Sequence, residues 1–188
     1  MEKIEKVDFD LAQEIVEQYI EKNSKKEHRF SVMSFEMEAL EKSWSAVEER
    51  YFEILSMVTQ KPIFAEKFSC FFTTGFVCPY NEKENWFMVS MWHSIPFSVT
   101  TICHELMHLQ FLNYYKNYLK EQGCTNEQIE DLKEAMTFLL NEKDFDDIIL
   151  SQDVGYPEHV ELRAKLKNIW SKNQNFQNLL DEGILLVK

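Results

Sequence analysis

Apolar residues recur at three- and four-residue intervals over most of this chain, and that spacing predicts helices. Leu11, Ile15, Val16, Tyr19 and Ile20 mark a first helix, capped by Asp8 or Asp10 and running to about Asn23. A polar connection over residues 23–29, which includes a solvated His28, leads to a long helix over residues 34–59. Leu40, Trp44, Val47, Tyr51, Ile54 and Val58 form its stripe, and Lys61-Pro62 ends it. The pattern then changes. Residues 68–78 and 86–92 are rich in Phe, Val, Thr and Trp and are joined by the turn-prone residues 79–85, which predicts a hairpin or small antiparallel sheet.

Helical spacing returns at Ser94, a fitting N-cap, with Pro96 near the first helical position. Phe97, Ile102, Leu106, Met107, Leu109, Phe111 and Leu112 surround this helix on most sides, so it belongs in the core and runs to about Leu119. Gly123 breaks it. Thr125 caps the next helix, with Gln128 completing a capping box, and Ile129, Leu132, Ala135, Met136, Phe138, Leu139 and Leu140 carry the helix on toward Asn141. A short helix is expected over residues 144–150. Another starts at Gly155-Tyr156-Pro157 and continues through Trp170. The tail from Asn173 ends in Ile184-Leu185-Leu186-Val187, which should dock on the body. The expected architecture is a mainly helical α+β domain covering residues 1–188, with a small antiparallel sheet ahead of the buried helix, and without internal repeats.

Three polar residues interrupt that buried helix, and they form the pattern His104-Glu105-x-x-His108. Histidines four apart stand one above the other, with Cβ atoms roughly 5–6 Å apart. Neutral imidazoles so placed can both reach one zinc ion at about 2.0–2.1 Å, leaving positions for a third ligand and water. Glu105 is offset from them and would flank the attacking water, where a carboxylate can take a proton. Left without partners, the three would cost several kcal/mol in a buried helix, roughly 1–3 kcal/mol each, and a metal resolves that cost.

The pattern is the helix signature of the zincin metallopeptidases, which the chain resembles from the 86–92 strand through Asn141. The metzincin extension would need a glycine at position 111 and a histidine at position 114, where the chain has Phe111 and Tyr114. The gluzincin arrangement, in which a glutamate on the next helix supplies the third ligand, remains. Two residues compete for that role. Glu127 follows His108 by 19 positions and sits in an Asn-Glu pair like that of larger gluzincins, but an acid in a first helical turn is already explained by the helix dipole. Glu134 shares one face with Thr137 and Asn141 inside an apolar stretch. Such a stripe needs a buried partner, so Glu134 is preferred as ligand, with Thr137 and Asn141 orienting the site. The ordinary use of Glu134 would be a buried ion pair with Arg163.

The resemblance implies a zinc-dependent peptidase. Zinc is held by His104, His108 and Glu134, with Glu105 as general base, and the oxyanion is met by a Tyr or His from a later segment, here Tyr156 or His159. Arg163, four residues after His159, would face a substrate carboxylate. In zincins the strand before the active helix forms the cleft rim, a place residues 86–92 would occupy. The strings around Glu134 and His159 also resemble small bacterial zincin-like proteins. The alternatives are a zincin-like protein that binds zinc to sense or regulate without turnover, and a metal-free helical interaction module.

Composition narrows the partners. A hydrophobic content of 45% with 14% aromatics suits an ordered core, and a formal net charge of −12 disfavours nucleic acid or an anionic membrane surface. The expected partner is a peptide or protein substrate, and the spacing says nothing of oligomeric state. Residues 1–6 have no apolar leader pattern and no apolar run reaches about 20 residues, so the expected location is cytoplasmic. Cys70, Cys78, Cys103 and Cys124 lack C-x-x-C spacing and are read as reduced thiols.

Overall fold

Val7, Phe9 and Leu11 alternate with Asp8 and Asp10, and this period of two builds a strand, β1 (Val7–Leu11), where capping acids were expected to begin a helix. The computed structural model describes residues 6–22 and 26–188, so residues 1–5 and part of the polar connection, 23–25, lie outside the described residues. After β1 comes α1 (Gln13–Lys22), which buries Val16 and Ile20.

The expected long helix is two helices, α2 (Lys26–Ser45) and α3 (Glu48–Thr59). Val47 leaves the helical region at φ −121° and ψ −11°. Residues 46–47 include neither glycine nor proline, so the break is a tertiary feature. It brings the buried Glu48 carboxylate to the start of β1, where it accepts the backbone N–H of Lys6 at 2.9 Å and of Val7 at 2.8 Å.

The sheet also departs from the expected hairpin. It has four strands in the order β1-β2-β4-β3, with β2 (Phe68–Thr73), β3 (Tyr80–Asn81) and β4 (Trp86–Ser90). β2 and β4 run parallel, Ser69 opposite Trp86 and Thr73 opposite Ser90, and β1 pairs parallel with β2. The only antiparallel pair among the described residues is β3 with β4, closed by a turn in which Asn85 takes a left-handed φ of 55°. Residues 74–85 carry the chain back to the starting level of β2 so that β4 can run beside it. The apolar runs Phe68–Thr73 and Trp86–Ser90 suit strands covered on both faces. β4 therefore lies between β2 and β3, and the residues of the 74–85 connection that line the cleft described below are Phe76, Val77 and Cys78.

α4 (Ile95–Glu121) is the 27-residue axis of the molecule. Ile102, Leu106, Met107, Leu109, Phe111 and Leu112 are buried, whereas Phe97 in its first turn, expected in the core, is exposed; the helix packs against α2, α3, β4 and α5 (Asn126–Met136). Tyr51 on α3 donates its hydroxyl to the Cys103 carbonyl at 2.6 Å, and Tyr115 donates to the Thr59 carbonyl at 2.8 Å, pinning α3 along α4. Ser94 has N-cap backbone geometry, but its side chain makes no capping bond. Thr125 and Gln128 form both bonds of the capping box of α5.

α5 stops at Met136, and the chain tightens into a 3₁₀ segment, Thr137–Asn141. Residues 144–150 give only the end of a second 3₁₀ turn, Lys143–Phe145, followed by turns. A third, Pro157–His159, leads into α6 (Val160–Trp170), and α7 (Phe176–Val187) docks through Leu179, Leu180 and Ile184. One continuous apolar cluster runs from Val7 to Ile184. No helix among the described residues is long and apolar enough to cross a membrane.

Candidate metal centre

The four-residue spacing on α4 brings the rings of His104 and His108 edge to face, with centroids 4.1 Å apart and planes at 65°. α5 lies alongside and presents Glu134 to both. Its Oε2 is 3.4 Å from His104 Nε2 and 3.4 Å from His108 Nε2. One donor atom from each of the three residues falls within 4.8 Å of the other two, a group that could hold a metal ion. Glu127 is not in that group. It is exposed in the first turn of α5, about two turns before Glu134.

The donor atoms fit a cation because several of them have no other partner. Both ring nitrogens of His108 and Oε2 of Glu134 are buried without a hydrogen-bond partner, and each such atom costs about 1–3 kcal/mol. His104 Nδ1 lies 3.0 Å from Asp153 Oδ1. An ionised carboxylate only accepts, so Nδ1 carries a proton, and Nε2 is the ring nitrogen turned toward Glu134 and His108. Burial disfavours the His104 imidazolium, but the Asp153 carboxylate bonded to Nδ1 and the nearby Glu134 carboxylate outweigh it and raise the pKa to about 10. The position therefore attracts positive charge, which a proton or a metal ion can supply. Burial, and then the charges of His104 and Lys133, push His108 well below its usual range, so it is the neutral imidazole that a ligand requires.

Asp153 was not expected, and it is the hub of the support. Burial opposes its ionised form, but the His104 hydrogen bond and the neighbouring charges of His104 and Arg163 hold its carboxyl below the usual range. Arg163 Nη2 donates to Asp153 Oδ2 at 2.9 Å and to its carbonyl at 2.9 Å, while Nη1 donates to Thr137 Oγ1 at 2.6 Å. Asn141 closes a reciprocal pair with the Asp153 backbone at 2.7 and 2.9 Å. Thr137 and Asn141 thus act on the site through Asp153. Arg163 is buried and committed to this cluster, which corrects its expected role toward a substrate carboxylate, and it meets the carbonyl of Glu134 rather than its carboxylate. Gly155 allows the close approach: with φ at +68°, a Cβ there would lie 2.7 Å from Arg163 Nη1.

Glu105 points into a cleft of about 470 Å³ that His104, Asp153, Gly155 and Tyr156 also line. Its Oε2 has no hydrogen-bond partner and lies 3.8 Å from His108 Nδ1. Burial pushes its pKa up to about 7; the charge of His104 opposes this and that of Glu134 adds to it. A carboxyl so poised suits general base chemistry near neutral pH. Burial, with the charges of Glu134 and Glu105, also raises the Tyr156 phenol, which stays a proton donor. His159 sits elsewhere. Its Nε2 is 3.0 Å from Asp131 Oδ1, and neither His159 nor Arg163 is among the residues that line the cleft, into which both were expected to point.

Two further groups escaped the sequence reading. His93 lines the cleft, although no spacing singled it out. Lys133 is buried beside Glu134, with Nζ 3.1 Å from Oε1, although a lysine next to an acid on a helix reads as surface. The signal for Asp153 was faint: an acid two residues before Gly155, 49 positions from the histidine it meets. No family model matches this chain, and neither the curated proteins nor the solved structures contain a match to it.

Proposed function

We propose that the protein is a zinc-dependent peptidase whose ion is held by His104, His108 and Glu134. The observation that carries this reading is the convergence of two imidazoles and one carboxylate within 4.8 Å, several of whose atoms are buried and unpartnered, beside a second carboxylate at an open cleft. Two nitrogens and one oxygen, with a carboxylate behind one histidine, are a donor set suited to catalytic zinc. When bound, zinc supplies Lewis acidity that polarises a carbonyl and lowers the pKa of water to about 7.

The chain's own residues do the rest. Glu105 takes the proton from the attacking water and passes it to the leaving amine. Asp153 keeps His104 in the tautomer whose Nε2 is free. Tyr156 offers its hydroxyl to the oxygen that gains charge as the carbonyl carbon becomes tetrahedral. The cleft walls favour a peptide carrying bulky apolar side chains. Phe76 and Val77 from one side and Val154 and Tyr156 from the other are 82%, 77%, 74% and 53% exposed, and this apolar surface flanks His104 and Glu105.

Glu105→Gln tests the reading. The variant keeps the wild-type zinc content while its cleavage of a random peptide library, followed by mass spectrometry, is abolished. Equal cleavage by both forms refutes the peptidase assignment. A wild type that holds zinc yet cleaves nothing favours a protein that binds or senses without turnover.

A further inference from the structure

Lys133 directly precedes Glu134, and adjacent residues on a helix do not ordinarily face the same partner. Its ammonium is nonetheless drawn inward. The residue is 2% exposed, and Nζ donates to Glu130 Oε2 at 2.6 Å and to the Tyr80 hydroxyl at 2.8 Å and lies 3.1 Å from Glu134 Oε1. Two hydrogen bonds and an ion pair with Glu134 offset the burial of this charge. The hydrolytic scheme above has no need of this cation. Tyr80 belongs to the outer strand β3, and its ring lies 4.5 Å beneath Nζ and 6.0 Å from the ring of His108. One ammonium therefore ties together β3, α5 and the acid that faces both histidines.

We infer that Lys133 is a positioning residue of the metal centre: it holds Oε1 of Glu134 and leaves Oε2 alone to serve as ligand. The geometry carries the argument, because Oε1 is engaged by Lys133 while Oε2 has no hydrogen-bond partner and stands 3.4 Å from each of the two Nε2 atoms. A carboxylate with one oxygen in a charge-assisted contact cannot swing to chelate an ion through both. Its orientation is set before the ion arrives. The inference rests on the proposed metal site and is separable from it.

The test uses the full chain with zinc and with cobalt as probes. Zinc affinity is measured by competition with a chromophoric chelator, and the coordination number is read from the visible spectrum of the cobalt form, for the wild type, Lys133→Met, Lys133→Arg and Tyr80→Phe. Lys133→Met should weaken zinc by roughly 10–100-fold and change the cobalt spectrum, as loss of a group behind a ligand does. Lys133→Arg should recover part of both, and Tyr80→Phe should show a smaller loss in the same direction. A folded Lys133→Met with wild-type affinity and spectrum overturns the inference. So does tighter zinc with an unchanged spectrum, which would make the ammonium a repelling charge only. Should Lys133→Met fail to fold, an unchanged Tyr80→Phe overturns it instead. A wild type that binds neither metal removes the metal centre itself, and this inference with it, whereas binding that is indifferent to position 133 removes the inference alone.

Discussion

At the scale of single residues, His104 is oriented by an acid that lies 49 positions downstream, and that acid is oriented in turn by Arg163. Removing one partner of a buried ion pair leaves a stranded charge, so Arg163→Met should cost about 3–5 kcal/mol in urea unfolding. Weaker zinc binding should accompany it, because Asp153 loses its anchor. A loss below 1 kcal/mol would mean that Asn141 and His104 hold Asp153 without the guanidinium. Cys78, at the cleft rim, gives a reactivity prediction. Burial raises its pKa to about 11; the Ser90 backbone hydrogen bond lowers it and the Glu105 charge raises it further. The shift is upward from 9.0, so at pH 8 the thiolate is about a hundredfold scarcer than for an unshifted thiol, and alkylation should be slower by that factor. Labelling followed by peptide mass spectrometry measures it, and the rate should climb tenfold per pH unit up to about 11.

At the scale of elements, the break between α2 and α3 matters because it lets Glu48 close the start of β1. Glu48→Ala would leave two backbone N–H groups without their acceptor, at about 1–3 kcal/mol each, and the loss should appear as a lower urea midpoint. Amide hydrogen exchange should rise most in β1 and the strand it pairs with. α5 offers the complementary comparison. Glu134 lies on the face toward α4, and Glu127 is solvent-exposed at the capped end. Elemental analysis should therefore find zinc lost from Glu134→Ala and retained in Glu127→Ala, and the reverse result would move the third ligand to the first turn of α5.

At the scale of the whole molecule, α4 is at once the core axis and the helix that carries both histidines, so a bound ion should stabilise the fold and not only the site. A ligand that binds the native state alone adds about 2.7 kcal/mol when present at a hundred times its Kd. Chelation should lower the melting temperature of the wild type and leave that of His108→Ala unchanged. The apolar cleft walls predict cleavage beside Leu, Phe or Met. Phe76→Ser should reduce that preference without changing zinc content, since Phe76 lines the cleft but supplies no donor atom.

Much of this was legible along the chain. The spacing of apolar residues marks α1, α3, α4, α5 and α6, the capping box marks the start of α5, and the histidine spacing together with the polar stripe through Glu134 picks out the three residues that converge. These are properties of short segments, since a helix repeats every 3.6 residues whatever surrounds it. Tertiary structure decided what meets each face. It made β1 of a stretch read as helix, set β2 parallel to β4, broke one helix at Val47, gave Arg163 to Asp153, His159 to Asp131 and Lys133 to Glu134. A repeat within one segment carries no information about the segment opposite, and burial partners are chosen only when the chain closes on itself.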